Sequence, residues 1–200
     1  MSVVKLFKTK SVADALAEHG LPDEAVLKQS LIAGYLAKSA CTPLDAPNFA
    51  SFLQWNTVVK TLRELTIVLG WKTVNEGMYA LTVNPEGGKA IVVSTGDEFT
   101  GIDGLQLPTT KSRKGPKTVN AVLQNAAMCW ELFEETLPDI TEVEQAGRQT
   151  WILLFNTKGG VLHAELSLPG SIKEGHIDAW QHRIILSESP LRGSLDLPET

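Results

Sequence analysis

The chain has 200 residues and a mass of 21.7 kDa, a length that fits one domain or at most two small ones and buries about 70% of its unfolded surface. With 43% hydrophobic and 20% charged residues, wholesale disorder is excluded. A net charge of −5, from 18 basic and 23 acidic residues, excludes a generally basic polyanion binder and is too small for a DNA mimic.

The first seventy residues read as helices. Ser11 is a natural N-cap for VADALAEH, and Gly20 ends that helix. Pro22 occupies a first-turn position before DEAVLKQSLIAGYLAKSA, where Val26, Leu27, Leu31, Tyr35 and Leu36 fall at helical spacing. After the proline-bearing loop CTPLDAPN, a third helix is expected from about Phe49 to Leu69, its apolar face formed by Phe52, Trp55, Val59, Leu62 and Ile67, with Gly70 as its stop.

The period then changes. MYALTVN, the turn PEGG and KAIVVSTG alternate and are rich in β-branched residues, which predicts a hairpin. Residues 96–117 read as a long loop, and Thr118 as the N-cap of a helix burying Val119, Val122, Leu123, Met128 and Leu132 and ending at Pro138. TWILLFN, the turn TKGG and VLHAELSLP predict a second hairpin. HIDAWQHRIILS reads as a helical or turn start passing into a strand, and residues 189–200 as a loose tail. The expected fold class is α+β: N-terminal helices packed with an antiparallel sheet built from two hairpins and a C-terminal strand. A single domain over residues 1–200 is expected, with a helical part at about 11–70 and a mixed part at about 71–188.

Cys41 and Cys129 form no CxxC pair, so zinc ribbons and thioredoxin-like motifs are excluded; two buried, reduced thiols are expected, with a single long-range disulfide as the alternative. MSVVKLFKTK lacks the apolar core of a signal peptide, and no apolar run approaches the ~18 residues of a membrane span. A cytoplasmic protein without membrane contact is expected.

The least ordinary stretch is GDEFTGIDGLQLPTTKSRKGPKT. It sets Asp97, Glu98 and Asp103 after a strand, where three carboxylates can hold Mg²⁺. It sets Lys111, Arg113, Lys114 and Lys117 before a helix N-terminus, where cations and free N–H groups suit a phosphate or nucleic-acid backbone. The bland alternatives are carboxylates that hydrogen-bond their own turn and a solvated basic run. Neither GxxxxGK[ST] nor GxGxxG is present, so no cofactor is implied.

His163 and Glu165 alternate on one strand and share a face, but the PCxxC partner of a deaminase HxE motif is missing. His163, His176 and His182 follow no recognised metal-ligand spacing, and no GxSxG elbow occurs. Trp180 and Arg183 form a candidate partner-binding pair, since Trp and Arg dominate binding hot spots, with half-buried packing as the commoner fate of such residues. Trp55, Trp71, Trp130 and Trp151 read as core anchors.

The segment from Trp71 through TGDEFTG, PTTKSRKG and TVNAVLQN, roughly residues 50–125, resembles uncharacterised accessory proteins of phages, plasmids and integrative elements. The resemblance implies a mobile-element origin and transfers no catalytic residue. Together with the absence of a catalytic signature, it favours a non-enzymatic binding protein that engages a host protein or nucleoprotein complex, for example as an inhibitor of a defence system. Two alternatives stand beside it: a nucleic-acid-binding accessory protein using the basic run at 111–117, and a metal-dependent phosphoryl-transfer or hydrolytic enzyme using Asp97, Glu98 and Asp103.

Overall fold

The computed structural model describes residues 5–6, 11–130 and 147–191, and the side chains of 11–128 and 147–191. The expected roles of Cys129, Trp130, Leu132 and Pro138, and of the tail beyond Leu191, lie outside that description. The elements in order are β1 (Lys5–Leu6), α1 (Val12–Glu18), α2 (Glu24–Ser39), α3 (Phe49–Ile67), β2 (Lys72–Glu76), β3 (Tyr79–Val83), β4 (Lys89–Thr95), α4 (Pro116–Trp130), β5 (Gln149–Lys158), β6 (Val161–Lys173), β7 (His176–Ile185) and β8 (Ser189–Pro190). This is an α+β fold in which three helices precede most of the sheet.

The N-terminal helices form where the apolar spacing places them, except that α2 starts at Glu24 with Asp23 as N-cap, so Pro22 precedes the first turn and does not occupy it. The Ser11 side chain accepts a hydrogen bond from Asp14 N–H and caps α1. Leu27 and Leu31 of α2, and Val58, Val59 and Leu62 of α3, are buried. The expected apolar stripes are wider than the real ones: Leu36, Phe52, Ile67 and, on α4, Leu123 stay exposed. α4 begins at Pro116, two residues before the expected cap. Proline suits a first helical position because its missing N–H has no partner there anyway. The Gly115 carbonyl accepts from the N–H groups of Thr118 and Val119, so Thr118 lies inside the helix.

The strands run in the order β1-β7-β6-β5-β4-β3-β2, with β8 also on β6. Both expected hairpins, β3–β4 and β5–β6, are antiparallel. The sheet as a whole is mixed, because β4 pairs with β5, and β1 with β7, in parallel. That corrects the wholly antiparallel expectation. The chain leaves β4, crosses over the sheet through the 96–115 loop and α4, and re-enters beside β4 in the same direction, as a helical crossover requires. Two further corrections concern β2, a strand the alternation did not reveal, and β7, which is strand from His176 onward with no helical start. β6 is 13 residues long and offers β7 a ladder down to Lys173↔His176, broken only by irregularities around Pro169–Ile172. Pro169 lacks an N–H for the ladder.

Alternation along the strands builds a core on each face. On one face, Ile91, Trp151, Leu153, Phe155, Leu166 and Ile184 pack against Leu16, Leu27, Leu31, Val58 and Leu62 of α1–α3. On the other, Leu81, Val83, Val92, Ile152, Leu154, Ile177 and Trp180 pack with Val122 of α4. Burying each large side chain contributes about 1.5–3 kcal/mol.

Candidate functional site

The long loop is sewn onto the sheet face that α4 leaves open. At its start, Asp97 Oδ1 accepts from Phe99 N–H at 3.2 Å, and Oδ2 from Thr109 N–H at 3.1 Å, tying outgoing and returning limbs together. Gly101 N–H donates to Glu165 Oε2 at 2.9 Å, and the Ile102 carbonyl accepts from Arg183 Nη2 at 3.2 Å. On the returning limb, the Pro108 carbonyl accepts from Trp180 Nε1 at 2.8 Å, and Thr109 Oγ1 donates to the Ile177 carbonyl at 2.7 Å. Gly101 has φ +69°, and a Cβ there would stand 2.6 Å from Ala164 N, so only glycine lets the loop lie this close. The residues that made the TGDEFTG segment conspicuous are thus, apart from Glu98, its staples.

This placement decides several candidates. Trp180 and Arg183 are 0% and 1% exposed, which corrects the expectation that they meet a partner. Both face inward to hold the loop. Glu165 is also fully buried, held by Arg183 and by the Ser167 hydroxyl at 2.7 Å. Asp97 directs its carboxylate at its own loop, whereas Glu98 and Asp103 are exposed. Among the described residues, no group of three or more His, Cys, Asp or Glu side chains is arranged to hold a metal ion. The histidines are dispersed too: His163 Nδ1 lies 3.3 Å from Glu188, His176 Nδ1 lies 3.1 Å from the Thr110 carbonyl, and His182 packs near Trp151 and His19 on the opposite face. Cys41 is a free, half-buried thiol.

The basic run does not form one face. Lys111 is exposed. Arg113 donates from Nε to the Glu174 carbonyl at 2.8 Å, and Lys117 Nζ lies 3.7 Å from Glu76. Lys114 turns inward: its N–H donates to the Gly175 carbonyl at 2.7 Å, and its Nζ donates to Ser94 Oγ at 2.6 Å.

Lys114 opens onto a cleft the sequence did not announce. β3 and β4 pair only at Thr82↔Ile91 and Val83↔Ala90; beyond these rungs, a cavity of about 180 Å³ lies between Tyr79–Ala80 and Val92–Ser94. Trp55, Met78, Lys114, Thr118 and Ile152 complete its lining. Trp55 Nε1 donates to the Val93 carbonyl at 3.2 Å, a backbone acceptor outside the short β3–β4 ladder. Burial lowers the Lys114 amine below its ordinary value and pushes the Tyr79 phenol well above its own, with Thr118 opposing and Glu76 reinforcing the latter shift. The Tyr79 hydroxyl is buried beside Thr118 without a hydrogen bond of proper geometry. Met78 of the lining is 87% exposed, and Phe52, outside the lining and 54% exposed, sets its ring centroid 5.9 Å from that of Trp55.

A wider groove of about 310 Å³ lies between α3 and β2, lined by Asn56, Lys60, Arg63 and Thr73 among others. There Arg63 Nη2 is already committed to Val74 O, Asn75 Oδ1 and Leu81 O.

Fold and site together define an α+β protein with a lysine-bearing cleft between two splayed strands. No family model matches the chain, and searches of curated proteins and of solved structures return no match.

Proposed function

We propose that this chain is a non-enzymatic binding protein that docks a partner protein on the apolar rim of the β3–β4 cleft. The observation that carries this reading is the set Phe52, Trp55 and Met78. Two are large apolar side chains left in solvent beside an aromatic ring that walls a cavity. Exposed apolar groups clustered at a concave site favour association, because covering them releases water. The cleft's polar contacts favour binding over nucleophilic catalysis. Ser94 Oγ accepts from Lys114 and lies within donating distance of the Thr95 carbonyl at 3.2 Å, so its hydroxyl proton is directed at a carbonyl and not at a base.

The resemblance of residues 50–125 to mobile-element accessory proteins supports a host protein or nucleoprotein complex as the partner, such as a component of a defence system, met in the cytoplasm. The test is affinity capture from bacterial lysate with and without nuclease, followed by titration of the purified partner. Phe52→Asp and Met78→Asp are expected to weaken binding at least tenfold with an unchanged melting temperature. A partner that binds both variants as tightly as the wild type overturns the reading. Partners lost only on nuclease treatment replace it with nucleic-acid contact, in which Lys111, Arg113 and Lys117 are the exposed cations.

A further inference from the structure

We infer that the β3–β4 cleft is a carboxylate receptor, and that its occupant is an acidic side chain, Asp or Glu, presented by the docked partner. The inference rests on the docking reading above and adds the chemistry of recognition. Its starting point is the charge balance of the cavity. Lys114 carries an amine into a half-open cavity of mixed polar and apolar lining, and among the described residues no carboxylate pairs with it; its hydrogen-bond acceptor is the neutral Ser94 hydroxyl. A cation that loses water without gaining a counter-charge is poorly compensated. An arriving anion supplies the missing charge in a setting where screening by solvent is weak.

The other polar groups suit the same guest. Tyr79 and Thr118 also line the cavity, and the Tyr79 hydroxyl, covered from solvent, has a donor proton without a well-formed acceptor. A carboxylate is acceptor-only and has two oxygens to receive such donors. Thr118 also lies in the first turn of α4, where the helix dipole favours negative charge.

Size and surroundings select the source. The cavity, about 180 Å³, is smaller than the ~300–1,000 Å³ of ordinary small-molecule sites. It holds a group of a few heavy atoms and not a nucleotide. The aromatic and thioether groups in and beside its lining suit a guest whose charged tip is carried on a larger apolar surface, which is how an acidic side chain at the edge of a protein interface is presented.

The experiment compares 3-phenylpropionate with its neutral isostere 3-phenylpropionamide, titrated into the intact chain and read by Trp fluorescence and by backbone amide shifts. The acid is expected to bind at least tenfold more tightly than the amide, with the largest shifts at Ser94, Lys114 and Thr118. Lys114→Met is expected to abolish the preference, and Tyr79→Phe to reduce it several-fold. Equal affinity of the wild type for acid and amide, or shifts confined to other parts of the molecule, overturns the assignment, and this comparison needs no variant to fold. The two readings fail separately. A partner sensitive to Phe52→Asp but indifferent to Lys114→Met removes the carboxylate and leaves the docking face. Selective acid binding, with a captured partner indifferent to Phe52→Asp and Met78→Asp, does the reverse.

Discussion

Arg183 on β7 grips Glu165 on β6 at two points, Nε to Oε1 at 3.0 Å and Nη2 to Oε2 at 2.5 Å, with both side chains buried. Their strand neighbours are not each other: Glu165 lies opposite Ile185, and Ser167 opposite Arg183. The pair therefore spans a diagonal, and each member keeps a bond free for the loop above it, Glu165 to Gly101 N–H and Arg183 to the Ile102 carbonyl. Arg183→Met leaves the Glu165 carboxylate buried without its cation. Denaturant unfolding is expected to show a loss of about 3–5 kcal/mol. Replacing both with apolar residues of similar size is expected to recover much of it, since the ions' desolvation cost disappears with them.

The loop's first anchor gives a second prediction. Gly101→Ala forces a side chain into a left-handed backbone with Ala164 N only 2.6 Å from the new Cβ. Strain alone costs about 1–3 kcal/mol, and the clash adds to it. A lower melting temperature accompanied by faster proteolysis within residues 96–115 is expected. An unchanged proteolytic pattern argues that the loop does not depend on this seat.

Asp97 and Glu98 are adjacent in sequence and opposite in consequence. Asp97→Ala removes the acceptor for two backbone N–H groups and is expected to cost about 1–3 kcal/mol. Glu98→Gln changes an exposed group and is expected to stay within about 0.5 kcal/mol. Equal effects of the two substitutions in thermal unfolding contradict the stapling role.

Trp180→Phe keeps the ring packing but deprives the Pro108 carbonyl of its donor, at an expected cost of about 1–3 kcal/mol. Because Trp180 is buried, partner affinity measured below the unfolding transition is expected to be unchanged. Weakened binding without loss of stability restores Trp180 as a contact residue.

Lys114 sets a pH dependence whose sign follows from its lowered folded value. In the window between that value and the ordinary 10.5, the unfolded chain holds a proton that the folded chain has released. Stability therefore rises with pH across the window, as the folded amine sheds the charge that burial disfavours. The wild type is expected to gain on Lys114→Met as pH is raised towards 10.5, measured by denaturant unfolding in matched buffers. A difference independent of pH rules out this burial effect.

Some of this protein is readable from local pattern alone. Ser11, Gly20 and Gly70 mark helix ends through their own capping and turn chemistry, and both hairpins follow from alternation around PEGG and TKGG. Those signals act over a few residues, so they need no knowledge of the rest of the chain. What lay beyond them is pairing between distant segments. β4 meets β5 in parallel only because the 96–115 loop and α4 carry the chain back to the same end of the sheet. Trp180 and Arg183 have the composition of a contact surface and become core because that loop lies over them. Lys114 belongs to a basic run in sequence, yet the contact of its backbone with Gly175 turns its amine into the cleft that the short β3–β4 ladder leaves open. Local propensity and periodicity determine the elements. Burial, and hence which polar groups remain available for function, is decided only when residues far apart in the chain compete for the same faces of the sheet.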